Sequence, residues 1–401
     1  MKYRCGKIAL EIPFIGLIIL IGYIGNVFSE KTKIPESLFM VIIGLLIGPV
    51  LGLIKAPEIQ GIAGIFATIS TIIVLIDSGL DFDLTLLFKK MFDVSLFTVL
   101  VNVLITLTVG FSAHYFFGWK LLHGFLLGIV SSGNTTVMIQ ALLDIVKVNE
   151  ETKYLLTLES IINDTTLIMI AVALMGIIRK QSESLSTSIF NSIQSFIGQL
   201  FIGLFFSLIF YFLWLETVHR IPVTKKKDYV FLISMLFIQY GIVEFVGGSG
   251  ILSVLFFSLY LGNHSSIVSF FNLGDRYYKV EHIKSLKSIK IVQQDFAFFI
   301  KSFFFVFLGM LVNLDNITPK ILIMAGVIIV VMVVTRYLCV LIVSLLDKKY
   351  LQDALLIAFM VPRGFVATLL AFLPYKYENV TIPMFTEVVT LLIFTTSIVS
   401  I

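Results

Sequence analysis

The sequence predicts an all-α polytopic membrane protein of about 13 transmembrane helices, and three observations support this fold class. Hydrophobic residues make up 58% of the 401 residues and charged residues 13%, whereas a soluble domain has about 25% charged residues. Apolar runs of about 20 residues, the length of one bilayer crossing, fill most of the chain. Basic residues gather between these runs. A water-soluble globule is excluded, and no room remains for a soluble catalytic domain. We therefore expect a lipid-embedded protein that is not an enzyme and has no nucleic-acid partner.

The apolar runs give the order of the predicted spans. Spans 1 to 13 are predicted at 8–28, 34–54, 60–80, 91–117, 120–144, 152–178, 187–215, 228–247, 249–263, 296–314, 319–345, 351–374 and 380–401. Spans 8 and 9 are separated only by a glycine-rich break at 247–250, but the segments on either side of the two spans, 216–228 and 263–295, are both strongly basic. Basic segments stay on the cytoplasmic side, so two crossings must separate them.

The same charge rule predicts the orientation of the chain. The N-terminus is placed outside and the C-terminus in the cytoplasm, although the basic residues Lys2, Arg4 and Lys7 before span 1 argue against this direction. The segment 263–295 mixes basic residues with apolar ones. That mixture is typical of a helix lying on the inner membrane surface, and a solvated loop fits it equally well.

Span 6 carries a dense polar patch, Glu159, Ser160, Asn163 and Asp164, inside an apolar run. Residues four apart share a helix face, so these four form two adjacent polar stripes. A carboxylate removed from water is harder to ionise, and it can then take either a proton or a hard alkali cation. The sequence therefore indicates an ion-binding site in this span. The alternative is that these side chains only hold helices together by hydrogen bonds.

Spans 5 and 12 are each interrupted by residues that break helices. Span 5 contains the polar stretch Ser132, Gly133, Asn134 and Thr135, and span 12 contains Val361-Pro362-Arg363-Gly364. Paired interruptions seven spans apart predict two inverted repeats, spans 4–6 and 11–13, whose broken helices cross and offer unpaired N–H and C=O groups. Simple kinks are the alternative, since glycine and proline are common in membrane helices.

Three basic side chains also lie inside predicted spans and need compensation. Arg336 and Arg363 are permanent cations, so each must face an acid or the carbonyl end of a broken helix. For Arg336 we expect a partner in span 6, either Glu159 or Asp164. Lys301 either compensates a charge or, near the start of its span, extends to the membrane surface. Glu11 and Asp77 are placed near an interface, and Glu244 and Glu387 have no assigned role.

These residues together resemble the monovalent cation:proton antiporters, and within them the NhaP-type sodium/proton exchangers. Glu159-Ser160-Ile161-Ile162-Asn163-Asp164 is similar to the Glu-Ser-x-x-Asn-Asp signature of the electroneutral branch. The segments 34–49 and 248–263 look like the second and ninth spans of the family, and Pro362-Arg363-Gly364 like its span 12. The likeness covers nearly the whole chain.

The resemblance implies roles for several residues. Asp164 would carry Na⁺ or H⁺ in alternation, Asn163 would steady Glu159, and Ser160 with backbone oxygens of span 5 would complete the site. An arginine at position 336 implies electroneutral exchange, with an electrogenic ratio as the variant. One departure stands out, because Gly133-Asn134-Thr135 replaces the usual Thr-Asp-Pro and removes an acid and a proline.

We therefore expect a homodimeric antiporter of the cell membrane that exchanges one Na⁺, or Li⁺, for one H⁺, without a cofactor. Residues 91–178 and 319–401 would move as an ion-transporting core against a dimerisation scaffold of 8–80 and 187–314. A K⁺/H⁺ exchanger would use the same fold and acids. A channel or a non-transporting membrane sensor is the remaining alternative.

Overall fold

The computed structural model describes residues 36–53, 56–81, 91–135, 148–179, 185–220, 225–271, 280–376 and 382–400, with isolated positions in 16–27 and 139–146. Every regular element in these ranges is helical, as the sequence predicts. In chain order the α-helices are α1 (Glu36–Leu45), α2 (Ala56–Asp81), α3 (Met91–Phe117), α4 (Leu121–Ser132), α5 (Glu150–Arg179), α6 (Leu185–Arg220), α7 (Lys225–Phe245), α8 (Gly250–Gly262), α9 (His264–Phe270), α10 (Val280–Leu311), α11 (Pro319–Val343), α12 (Lys349–Gln352), α13 (Ala354–Phe359), α14 (Phe365–Phe372) and α15 (Phe385–Val399).

Several of these helices are long and apolar enough to cross a bilayer. By length and hydropathy, the stretches of described residues that qualify are Phe92–Phe117, Glu150–Ile178, Ile197–Val218, Ile289–Leu311 and Pro319–Val343. The short helices α8 and α9 form a further candidate span that is bent by 88°. The chain is therefore a multi-pass membrane protein. The total of about 13 crossings stays a prediction, since most of span 1 lies outside the described residues.

The break predicted between spans 8 and 9 is present. Helix α7 ends at Phe245, and Gly247 adopts a left-handed backbone with φ +85°, which glycine tolerates without strain. Helix α8 then starts at Gly250, whose backbone N–H donates to the Glu244 carboxylate at 3.0 Å. An acid at the start of a helix stabilises its unpaired N–H groups. The structure thus gives Glu244 a capping role that the sequence left open.

The prediction for the segment before span 10, 263–295, was wrong for its second half, and residues 272–279 lie outside the described residues. Helix α10 runs without a break from Val280 to Leu311, so residues 280–295 are neither a separate surface helix nor a solvated loop. Gln293 explains the extension, because its buried side chain donates to the Ile73 carbonyl at 2.6 Å and accepts from the Tyr229 hydroxyl at 3.0 Å. Basic residues favoured a surface position for this segment, but it forms the first turns of α10, a helix that packs against α2 and α7.

Helix contacts build a bundle around the interrupted spans. Helix α3 packs against α4, α5 and α11, and α4 packs against α5. On the other side, α10 packs against α1 and α2, and α8 packs against α2 and α6. Helices α3, α5 and α11 therefore surround the polar residues that the sequence singled out. The division into a moving core and a scaffold stays a prediction.

Candidate functional site

The two predicted interruptions meet each other in the structure. Residues 133–135 and 360–364 leave the helical conformation, and the Thr135 N–H donates to the Pro362 carbonyl at 3.1 Å. A Cβ added to Gly364 would lie 2.4 Å from the Cβ of Thr135, so only glycine fits at this contact. One predicted member needs correcting, because Ser132 is still in the last turn of α4 and its hydroxyl donates to the Ile129 carbonyl.

Arg363 lies against the carbonyl end of α4. Its guanidinium donates to the backbone oxygens of Ser131 and Gly133 and, at 2.8 Å, to the side-chain oxygen of Asn134. The last carbonyls of a helix have no partner within it and carry a partial negative charge. The buried cation is therefore compensated by the backbone of a broken helix, one of the two kinds of partner that the sequence allowed.

Arg336 forms a paired contact with Glu159. The two terminal nitrogens of Arg336 donate to the two carboxylate oxygens of Glu159 at 2.5 and 2.6 Å, and both side chains have 0% exposure. The remaining nitrogen, Nε, donates to the Ile357 carbonyl of α13 at 2.7 Å, and the guanidinium carbon lies 5.2 Å from the centre of the Phe97 ring. The planar guanidinium fits this bidentate arrangement. Of the two acids considered for Arg336, Glu159 contacts it, and the side chain of Asp164 is outside the described residues.

Two amides face the Glu159 carboxylate, and a third holds one of them. Asn134 points its side-chain nitrogen at both carboxylate oxygens at 3.4 Å, and Asn163 points its own at one of them at 3.5 Å. Asn102 of α3 donates to the side-chain oxygen of Asn163 at 2.8 Å. Sequence reasoning missed Asn102 because it searched the spans mainly for ionisable groups. An amide in the apolar run 91–117 was the signal that was available.

Asn134 lies between the two charge centres. Its side-chain oxygen accepts from Arg363, and its nitrogen faces Glu159. An amide presents opposite partial charges at its two ends, so it suits a position between a cation and an anion. An aspartate at this place would put a second carboxylate beside Glu159. The departure from Thr-Asp-Pro is therefore consistent with the geometry around it.

The remaining predicted residues of span 6 have simpler surroundings. The Ser160 hydroxyl donates to the Thr157 carbonyl of the same helix at 2.9 Å, and Ser160 is buried. Asp164 follows Asn163 within α5, but its side chain lies outside the described residues. The described part of the cluster holds two arginines and one carboxylate, so it carries one more positive than negative charge. A small cleft beside the interruptions is lined by Asn134, Thr135 and Gly364 among others.

Lys301 belongs to a different part of the molecule. Its ammonium group donates to the Asp77 carboxylate at 2.7 Å, which joins α10 to α2. The lysine is not near the start of its helix, as the predicted span implied, because α10 begins at Val280. Lys301 therefore compensates a charge, as one of the two alternatives held, but its described partner is in α2 and not in the cluster around Glu159.

The comparison with known families decides where the chain belongs. A model of the family described as "Sodium/hydrogen exchanger, transmembrane" matches residues 16–401, nearly the whole chain. The chain belongs to the sodium/hydrogen exchanger family. The resemblance that the motifs of spans 2, 6, 9 and 12 indicated is confirmed by this match.

Curated relatives of the exchanger family are similar to the chain at low identity. They include the low-affinity Na⁺/H⁺ antiporter NhaS1 of Synechocystis sp., 25% identical over 79% of this chain, and the K⁺/H⁺ antiporter NhaP of Alkalimonas amylolytica, 26% identical over 92%. The Na⁺/H⁺ antiporter 1 of Methanocaldococcus jannaschii is 24% identical over 91% of this chain. The chain spans 56%, 61% and 83% of the lengths of these three proteins, respectively.

Solved structures share the fold. A structure of the sodium proton antiporter MjNhaP1 from Methanocaldococcus jannaschii at pH 8 matches with a TM-score of 0.78 at 19% identity, covering 98% of this chain and 99% of that one. A second structure of MjNhaP1 matches with a TM-score of 0.72 at 21% identity, covering 98% and 94%. The arrangement of helices is thus that of an exchanger of this family.

Proposed function

We propose that the protein exchanges Na⁺, or Li⁺, for H⁺ across the cell membrane, with Asp164 as the group that the cation and the proton occupy in turn. The observation that carries the proposal is the buried Glu159–Arg336 pair. Its carboxylate oxygens are both held by a permanent cation, so Glu159 is not available to exchange ions. Within the polar patch of α5, this leaves Asp164 as the exchangeable carboxyl.

The charges of the cluster support competition at that carboxyl. Arg336 and Arg363 against Glu159 leave one positive charge, which an ionised Asp164 balances. Binding either a proton or an alkali cation then adds a single positive charge, and one bound guest electrostatically excludes the other. Carboxylate, hydroxyl and backbone oxygens are the hard ligands that such a cation needs. Asn163, Ser160 and the backbone around Gly133 are the candidates for the other ligands and positioning groups.

The permanent charge of Arg336 supports an electroneutral ratio. A lysine at this place could lose a proton on each cycle, whereas an arginine keeps its charge in proteins. Only the carboxyl of Asp164 then changes its occupant, so one cation moves for one proton. An imposed membrane potential should therefore leave the exchange rate unchanged, which a vesicle assay with a potassium diffusion potential measures.

Transport requires the site to face the two sides of the membrane alternately. In the proposal, residues 91–178 and 319–401 move as an elevator-type core against a scaffold of 8–80 and 187–314, through which two copies dimerise. Contacts within each group support the division, such as α3 with α11 and α10 with α1. The N-terminus is placed outside and the C-terminus in the cytoplasm.

A vesicle assay tests the proposal directly. Inside-out vesicles holding the full chain are acidified, and the release of protons on addition of Na⁺ is followed with a pH-sensitive dye. We expect saturable release by the wild type and none by Asp164→Asn, because an amide cannot exchange a proton for a cation. Asp315→Asn, which changes an exposed acid in the short helical turn between α10 and α11, serves as the control and should behave as wild type. Near-normal exchange by Asp164→Asn would overturn the assignment.

A K⁺/H⁺ exchanger is the second candidate, and the similarity to a relative named K⁺/H⁺ antiporter favours it. It would use the same residues, so structure alone does not separate the two. Adding Na⁺, Li⁺ and K⁺ at equal concentrations to the same vesicles does. Release by Na⁺ and Li⁺ without release by K⁺ supports the first candidate, and the reverse order supports the second.

A further inference from the structure

Asn102 is a buried amide that no role considered so far explains. It lies on α3, is 8% exposed, and donates through its side-chain nitrogen to the Asn163 oxygen at 2.8 Å. Its own side-chain oxygen has no hydrogen-bond partner among the described residues. A buried polar atom without a partner destabilises the fold, because it has lost its hydrogen bonds to water. An apolar residue would avoid that penalty, so the contact with Asn163 is the feature that favours an amide here.

The contact has a direction, and the direction matters for Glu159. Asn163 has one accepting end and one donating end. Asn102 donates to the accepting end, so the donating end faces the Glu159 carboxylate at 3.5 Å. If the Asn163 amide turned over, its oxygen would face a carboxylate and its nitrogen would face the donor of Asn102. Both contacts would then be repulsive. The carboxylate only accepts and Asn102 donates, so the two together hold the Asn163 amide in this direction.

We propose that Asn102 is a positioning residue of the cation site, which acts on Glu159 through Asn163. The inference rests on the proposed exchange function. The chain of contacts runs from Asn102 to Asn163 to Glu159 and ends at Arg336, so it joins α3, α5 and α11. Asn163 also directly precedes Asp164 in the helix. Releasing its side chain removes a donor from Glu159 beside the exchangeable carboxyl, which should weaken cation binding and move the pH dependence of exchange.

The test is a double-mutant cycle in reconstituted vesicles with the full chain. The apparent KM for Na⁺ is measured as a function of pH for wild type, Asn102→Ala, Asn163→Ala and the double variant. We expect Asn102→Ala to raise KM about three- to tenfold, the range for losing one hydrogen bond between uncharged groups, and Asn163→Ala to raise it at least as much. The double variant should be no worse than Asn163→Ala, because Asn102 acts only through Asn163.

A matched control lies one turn away on the same helix. Thr98 is also buried, and its hydroxyl donates to the Val94 carbonyl within α3 at 2.7 Å. Thr98→Val removes a buried polar group without touching Asn163, and it should keep the wild-type KM and pH profile. An Asn102→Ala variant with an unchanged KM and pH profile would overturn the inference. Multiplicative effects in the double variant would also overturn it, because they would indicate separate roles.

A second variant covers the case in which Asn102→Ala does not fold. Asn102→Asp has nearly the same volume but replaces the donating nitrogen with an oxygen, so it presents an acceptor to the oxygen of Asn163. We expect a KM increase at least as large as that of Asn102→Ala and a displaced pH profile, and a wild-type profile would contradict the inference. Absence of exchange by the wild type would overturn the proposed function. Wild-type behaviour of the Asn102 variants in a protein that does exchange ions would overturn only this inference.

Discussion

Two acid–base pairs join helices at low exposure in the described part of the chain, and they are built differently. Glu159 and Arg336 are wholly buried, with two mutual hydrogen bonds and further contacts to the Ile357 carbonyl and to amides. Asp77 and Lys301 share a single 2.7 Å contact and keep 14% and 22% exposure. Burial raises the desolvation cost of a charge, and only a network of donors and acceptors offsets it. We therefore expect a more deeply buried ion pair to make more hydrogen bonds to its surroundings.

The largest effect is expected at the fully buried pair. Arg336→Met leaves the Glu159 carboxylate buried without its cation, which should lower the free energy of unfolding by about 3–5 kcal/mol. The measurement is the thermal unfolding midpoint of the detergent-solubilised protein. The double variant Glu159→Gln with Arg336→Met removes both charges, and it should recover much of that stability. A single variant as stable as wild type would contradict the comparison.

A smaller effect is expected at the partly exposed pair. Lys301→Met leaves Asp77 with some access to its surroundings, so the loss of stability should be about 1 kcal/mol, near the upper value for exposed ion pairs. The same unfolding assay, run beside Arg336→Met, measures the ratio. Vesicle exchange should persist, because the pair has no described contact with the Glu159 cluster. A loss of stability as large as that of Arg336→Met would show that exposure does not determine how much each ion pair contributes to stability.

The smallest effect on stability is expected at a surface ion pair, the most exposed of the three that are compared. Lys349 contacts Glu151 with 56% of its side chain exposed, and that contact raises the pKa of Lys349 above its usual 10.5. A raised lysine pKa stabilises the fold at every pH below the ordinary pKa, and the contribution is lost only as the pH rises beyond it.

Because the pair is largely exposed, Lys349→Ala should leave the unfolding midpoint nearly unchanged. Because the lysine stays charged throughout this range, the difference from wild type should be constant between about pH 6 and 9. Added salt should remove what difference remains, because exposed charges are screened. Midpoints measured across this pH range at low and high salt check both statements. A difference that grows with falling pH would point to another titrating group.

The parts of the fold predicted well were those encoded by local sequence. Helix α3 has the bounds of its predicted span, 91–117, because a long apolar run has one way to satisfy its backbone in lipid. The interruptions at 133–135 and 360–364 were visible as polar, glycine and proline residues. Helix α10 was misjudged because its first turns carry basic residues, while the contact of Gln293 with Ile73 depends on a helix far away in sequence.

The candidate site shows the same limit. The sequence located the residue types, Glu159, Arg336 and Arg363, since each is rare in an apolar run. It left open which acid Arg336 meets, because that choice depends on how α5 and α11 pack. It also missed Asn102, whose significance lies in one hydrogen bond to Asn163 across 61 positions of the chain. Which side chains contact each other is decided by how the helices pack, and the local sequence does not contain that information.

The anchoring of Arg363 has a consequence for how this protein can change over generations. Two of its acceptors, at positions 131 and 133, are main-chain oxygens, which every amino acid carries. Substitution at those positions cannot delete the acceptor atoms, whereas an insertion that restored regular winding through 133–135 would occupy them. Substitutions at positions 131 and 133 therefore keep the acceptors of Arg363, whereas insertions or deletions near them do not. Arg363 depends more on the backbone conformation of this segment than on the identity of its side chains.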